Sequence, residues 1–128
     1  MTKHVSFEFF PAKTDQGKAN ILSASEALAT LKPEFFSVTF GAGGSDQQTT
    51  FDTVLGVQQA SGIPTASHLT CVGSSRERIG TILDNYQANN INRLVALRGD
   101  LPMGMEDPGE FHYANELVEF IREHSGDY

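Results

Sequence analysis

Glu8, Thr39, His68, Thr70, Arg98 and Asp100 are the residues of this 128-residue chain best suited to chemistry. Each stands at or just after the end of a short run of β-branched or aromatic residues, which places it at the C-terminal end of an expected strand. Glu8 lies within Phe7-Glu8-Phe9-Phe10-Pro11. A carboxylate flanked by aromatic rings is poorly solvated, so its pKa should rise, which suits a general acid near neutral pH. The plainer possibility is a glutamate reaching into solvent from a strand end. Arg98-Gly99-Asp100 sets a fixed cation and an acceptor beside a glycine that lets backbone approach a ligand; a structural Arg–Asp pair is the alternative. His68 could meet a phosphate or a ring, or be an interior histidine with satisfied hydrogen bonds. Metal binding is not expected, because His4, His68, His112, His124 and the lone Cys71 show no ligand spacing. Gly41-Ala42-Gly43-Gly44 lacks the Gly-Lys-Ser/Thr of a phosphate-binding loop and reads as a permissive turn, or else as close backbone approach to a cofactor. Any one of these residues could simply begin a loop. Six polar side chains converging on one mouth from four strands are harder to explain by folding alone.

The elements that must carry them alternate. Strand-like runs occupy residues 5–10, 35–40, 65–71 and 92–97, and each is followed by a segment of helical spacing. The runs begin 30, 30 and 27 residues apart, a near-constant unit of one strand and one crossover helix. The first helix uses Ile21, Leu22, Ser25 and Leu28 and stops before Pro33. The second runs from about Asp46 through Phe51, Val54 and Leu55 to Ser61-Gly62. In the third, Ser74-Ser75-Arg76-Glu77 fits a capping box, and Ile79, Ile82, Leu83 and Tyr86 fall on one face. The fourth runs from about Phe111 through Leu117, Phe120 and Ile121. Residues 41–44 and 101–104 are the short connections of strand–helix units.

Parallel strands joined by helices form either an open doubly wound sheet or a (β/α)8 barrel. Here each strand has one bulky apolar face and one small or polar face: Val5, Phe7 and Phe9 against Ser6 and Glu8; Phe36, Val38 and Phe40 against Ser37 and Thr39. Ala66, His68 and Thr70 share one side of the third strand, and Ala96 and Arg98 oppose Val95 and Leu97 in the fourth. A doubly wound sheet would be apolar on both faces, so the asymmetry favours a TIM barrel with its polar face turned inward. A complete barrel takes about 250 residues and eight units. Four units read as its first half, residues 1–128 forming one α/β domain, with a fifth strand beginning near Tyr128.

Composition limits the partners. Hydrophobic residues at 39% and charged residues at 20% describe a chain able to bury a core, and a net charge of −7 argues against nucleic acid or an anionic membrane as partner. Half of the acids lie between Asp100 and Asp127, where Arg122 is the only Lys or Arg, and read as a solvated acidic helix face. One cysteine allows no internal disulfide, no signal sequence is recognisable, and no apolar run approaches the roughly 20 residues of a membrane span, so a cytoplasmic protein with a small-molecule ligand is expected.

Four strings sharpen that expectation: residues 6–11 (SFEFFP), 37–42 (SVTFGA), 68–71 (HLTC) and 96–102 (ALRGDLP). Together, in this order and at these strand ends, they resemble the methylenetetrahydrofolate reductase family, flavoproteins of the (β/α)8 class, over residue 5 to the C-terminus. The resemblance implies FAD as cofactor and reduction of 5,10-methylenetetrahydrofolate to 5-methyltetrahydrofolate by NAD(P)H, in one-carbon and methionine metabolism. Hydride would pass to the flavin and, after the nicotinamide leaves, from the flavin to the folate. It also implies roles. Glu8 matches the general acid that protonates a folate ring nitrogen as the bridge opens. Asp100 matches the aspartate near the flavin and pterin rings, where it binds folate and tunes the flavin. Both would be catalytic and substrate-binding. Thr39, Phe40, His68, Arg98, Gly99, Asp100 and the pair Tyr113-Ala114 match cofactor-binding positions, and residues 8–13 and 39–40 match stretches bordering the nicotinamide. A homo-oligomer is expected.

Two departures are mild: Pro11-Ala12-Lys13 stands where the family usually has two prolines and a basic residue, and Phe40 replaces a tyrosine or tryptophan. A half-barrel lacks the family's other flavin and folate contacts, so the chain alone is expected to be inactive or nearly so. Two other readings stay open: a non-catalytic flavin- or folate-binding half-barrel, and a flavin barrel that oxidises a small amine such as proline.

Overall fold

Every apolar run followed by a helical pattern becomes a strand followed by a helix. The computed structural model describes residues 3–40, 47–100, 104 and 109–128. Its elements are β1 (Ser6–Phe9), α1 (Asp15–Ala29), β2 (Phe35–Val38), α2 (Gln47–Ser61), β3 (Thr65–Thr70), α3 (Arg76–Ala88), β4 (Leu94–Leu97) and α4 (Ala114–His124). The strands follow one another in the order β1-β2-β3-β4. The expected glycine-rich turn at 41–44, the start of the second helix at Asp46 and the connection at 101–103 lie outside the described residues. The chain divides within β3 into residues 1–67 and 68–128.

In the first unit the ladders are parallel, pairing Phe7 with Phe36, Glu8 with Ser37 and Phe9 with Val38, and then Ser37 with Ala66. Paired residues share a face, and the aromatic face condenses around Phe36. Its ring centroid lies 6.2 Å from that of Phe7 and 5.3 Å from that of Phe9. Phe36 and Val38 of β2 and Val54 and Val57 of α2 are all fully buried. Removing side chains of this size from water contributes about 1.5–3 kcal/mol each. α1 starts at Thr14, whose hydroxyl accepts from the Gly17 amide at 3.0 Å. Ser25, on its apolar stripe, is buried because its hydroxyl donates to the Leu22 carbonyl at 2.8 Å.

In the second unit the Cys71 amide donates to the Leu97 carbonyl at 3.2 Å and the Val72 amide to the Arg98 carbonyl at 2.9 Å, extending the β3–β4 ladder. The expected face of α3 is realised: Ile79, Ile82, Leu83 and Tyr86 are buried, with Leu69, Ile91, Phe111, Leu117 and Ile121. α4 is tied to α3 by His124, whose Nε2 lies 2.7 Å from Asp84 Oδ1.

Two expectations need correction here. The capping box is displaced by one residue. Ser75, not Ser74, caps α3, accepting from the Arg78 amide at 3.1 Å. Glu77 therefore falls one position short of its place in a capping box, and the carboxylate at this helix end comes from Glu110, which accepts from the Arg76 amide at 2.8 Å. Phe111 does not begin the fourth helix. It is fully buried ahead of α4, whose cap is Tyr113.

Tyr128 is partly buried, and its hydroxyl donates to the Leu83 carbonyl. Burial first, and the Asp84 carboxylate next, push this hydroxyl from 10.0 up to about 12. The unfolded chain loses the proton near 10 while the folded chain keeps it to about 12, so the contribution is intact below pH 10 and lost as the pH climbs through that window. Urea titrations stepped across it should show the parent losing stability more steeply than Tyr128→Phe; equal slopes would refute the assignment.

Candidate functional site

Strand alternation decides which side chains can meet. Glu8 and Ser37 are register partners on the polar face of β1 and β2, and the buried Ser37 hydroxyl donates to Glu8 Oε1 at 3.3 Å. A hydroxyl in this position orients the carboxylate and satisfies one of its oxygens. Ser37 was visible in the sequence only as a member of a polar face; the signal that marks it is its 29-residue offset from Glu8, one strand–helix unit. The shielding expected of Glu8 is not found. The residue is exposed, because Phe7 and Phe9 are its neighbours in sequence but point to the opposite side of the strand, against Phe36.

Thr39 and Phe40 follow β2 and are half-buried. The Thr39 amide donates to the Phe9 carbonyl at 3.0 Å, and its own carbonyl accepts from the Thr50 hydroxyl at 3.1 Å. The backbone at this strand end is thereby fixed to β1 on one side and α2 on the other.

In the second unit His68 and Thr70, two apart on β3, are half-buried on one face. Gly99 packs on the end of that strand. Its φ is +84°, and a Cβ there would stand 2.8 Å from Val72 Cγ1 and 3.0 Å from Thr70 Cβ. Only glycine takes this backbone without strain. Arg98 turns its guanidinium onto the neighbouring Gly99 carbonyl, Nε donating at 3.1 Å, and among the described residues it forms no ion pair with Asp100. Both side chains are exposed. Tyr113 is 63% exposed at the entry to α4, and Ala114 behind it is half-buried. Beneath this cluster the Cys71 thiol is fully buried, its Sγ 3.8 Å from the Arg98 carbonyl, and burial raises its pKa.

The structure thus joins Glu8 with Ser37 in one unit and Thr70, Gly99 and Arg98 in the other. Sequence reasoning missed Arg76, Glu110 and Gly109, which bind the β3–α3 turn to the approach to α4.

Parallel strands with a helix after each, and polar side chains at their C-terminal ends, define an α/β protein of the kind that carries its chemistry on strand-end loops. The family follows from the sequence as a whole. A model of the methylenetetrahydrofolate reductase family matches residues 1–128, and the chain belongs to that family. It is 39% identical over 120 residues to 5,10-methylenetetrahydrofolate reductase of Salmonella typhimurium, an alignment covering 94% of this chain and 40% of that protein. The same shares are covered in the Escherichia coli protein of that name, at 38% identity. Methylenetetrahydrofolate reductase (NADH) 1 of Arabidopsis thaliana is 38% identical over 127 residues, 96% of this chain and 22% of that protein. The chain therefore spans well under half the length of these relatives. Its four parallel strand–helix units are consistent with the first half of a TIM barrel. Among the described residues, no helix is long and apolar enough to cross a membrane.

Proposed function

We propose that residues 1–128 form the N-terminal half of a flavin-dependent barrel that reduces 5,10-methylenetetrahydrofolate to 5-methyltetrahydrofolate at the expense of NAD(P)H. The observation that carries this reading is Glu8, an acid on the polar face of β1 with its carboxylate engaged by buried Ser37, in a chain that belongs to this family along its whole length. The names of the relatives support the substrate, and the plant names, which specify NADH, make NADH the donor to test first.

The residues at the ends of β3 and β4 fit FAD by their chemistry. Arg98 offers a guanidinium suited to a pyrophosphate, Thr70 a hydroxyl and His68 an imidazole, and Gly99 removes a side chain where backbone must come close. When bound, the flavin supplies hydride transfer from the nicotinamide to the methylene bridge of the folate. Glu8 holds the proton that a folate ring nitrogen takes as the bridge opens, and Ser37 keeps its carboxyl oriented. Glu8 is exposed in this half-barrel, so the dry surroundings that an acid near neutrality needs would come from bound ligand and from the remainder of the barrel. Asp100 would place a negative charge at the strand end, favouring a cation that develops on the folate as its bridge opens. Thr39 and Phe40 in the first unit, and the Tyr113-Ala114 pair in the second, would each border bound ligand. The free, buried Cys71 suits a reducing, cytoplasmic setting.

The alternative reading is a half-barrel that binds flavin or folate without turning over. A visible spectrum of the protein purified together with the remainder of its barrel separates the two. The enzyme reading expects a flavin spectrum that bleaches with NADH anaerobically and recovers on adding methylenetetrahydrofolate. A bound flavin that neither donor nor acceptor alters would support the binding module, and a colourless protein that takes up no FAD would sink both.

A further inference from the structure

Arg76 occupies an unfavourable place. It is the first residue of α3, where the amide dipoles present positive charge, and a cation there is destabilising unless something offsets it. The offset comes from 34 residues away. Glu110 accepts from the Arg76 amide at 2.8 Å, and the same carboxylate oxygen lies 4.0 Å from Arg76 Nε. The guanidinium meanwhile lies over two rings, 5.2 Å from the centroid of Phe111 and 5.5 Å from that of Phe120. Those rings meet edge to face at 5.5 Å. Backbone completes the joint: Ser74 and Gly109 form a parallel bridge, and the Glu110 amide donates to the Ser74 carbonyl at 3.4 Å. Gly109 is required for this approach, since its φ is +87° and a Cβ would fall 3.1 Å from the Ser74 oxygen.

These contacts do more than cap a helix. They fix residues 109–111 on the β3–α3 turn and bury Phe111 completely. Two residues later the chain presents Tyr113, exposed and making no side-chain cap bond to α4. Its backbone carbonyl accepts from the Glu116 amide at 3.1 Å, so Tyr113 is held by the first turn of α4 on one side and by the segment 109–111 on the other. We propose that Glu110 and Arg76 are positioning residues: a charge-paired clamp that sets the entry to α4 and so the placement of Tyr113-Ala114 against the isoalloxazine-bearing ligand. This rests on the reading of Tyr113-Ala114 as flavin contacts.

The test compares two variants of the full chain that weaken the same end of α3 from different sides. Glu110→Ala removes the clamp; Ser75→Ala removes the ordinary cap and leaves residues 109–111 alone. Amide hydrogen exchange by NMR and the Kd for FAD from flavin fluorescence are measured in both. Glu110→Ala should accelerate exchange at residues 111–114 about tenfold and raise the Kd about tenfold, the size expected for a charge-assisted hydrogen bond, whereas Ser75→Ala changes neither by more than about twofold. Glu110→Gln keeps an acceptor without the charge and should give about a threefold acceleration; it also serves if the alanine variant does not fold. Equal effects of Ser75→Ala and Glu110→Ala would reduce Glu110 to a cap and overturn the proposal. So would unchanged exchange at 111–114, or faster exchange with an unchanged Kd. If the parent binds no FAD even with the remainder of its barrel present, the functional reading falls, and exchange at 111–114 alone decides whether the clamp exists.

Discussion

Replacing Glu8 with glutamine is expected to abolish folate reduction while leaving bleaching of the flavin by NADH intact. The substitution is nearly isosteric and keeps an oxygen for the Ser37 hydroxyl, so the polar face of β1 and β2 should not rearrange. What disappears is a transferable proton. On the proposed reading, nicotinamide oxidation needs none from this side chain, whereas opening of the methylene bridge does. Loss of a positioned general acid typically lowers a rate by about 10²–10⁴. Stopped-flow measurement of the two half-reactions, in a preparation of this protein competent in both, gives the comparison directly. Equal losses in both would count against the acid role and point to a general disturbance of binding.

The second large effect is expected at Gly99. Alanine there must adopt a left-handed φ near +84° and place its Cβ within 2.8 Å of Val72 Cγ1. The backbone cost is about 1–2 kcal/mol and overpacking adds about 1–3 kcal/mol, so Gly99→Ala should lose about 2–5 kcal/mol of stability. The urea midpoint should fall with an unchanged slope. A loss under about 1 kcal/mol would mean that the strand end moves aside, and Gly99 would then be a turn residue rather than a site of enforced close approach. Because Thr70 lies on the other side of that contact, the variant should also weaken FAD binding.

The residues themselves explain what could be read in advance. The strands were legible because β-branched and aromatic residues recur at a constant interval, and the face of α3 because Ile79, Ile82, Leu83 and Tyr86 obey one period. The cap of α3 was not, since Ser74 and Ser75 are equally good candidates locally and the choice is linked to Glu110, far along the chain. Phe111 reads as a helix start because an aromatic just ahead of a helix looks like part of it; the Ser74–Gly109 bridge that precedes it leaves no local trace. Glu8 illustrates the same limit at the site. Its flanking phenylalanines suggested shielding, yet a strand sends adjacent side chains to opposite sides, and what it meets is Ser37, one unit later. The family resemblance, carried by four short strings, was legible throughout and agrees with the match over residues 1–128. The ligand-binding roles proposed for Glu8, Thr39, Phe40, His68, Arg98, Gly99, Asp100, Tyr113 and Ala114 rest on that resemblance.

The strand order β1-β2-β3-β4 has a bearing on biogenesis. Each ladder joins segments that are consecutive in synthesis, so no strand must wait for a remote partner before it can pair. Loop closure over one such interval is cheap, and sheets assembled this way fold quickly for their class. A nascent chain could dock each new strand on its predecessor soon after it leaves the ribosome, so the Glu8–Ser37 contact could be in place before the segment bearing Arg98 is translated.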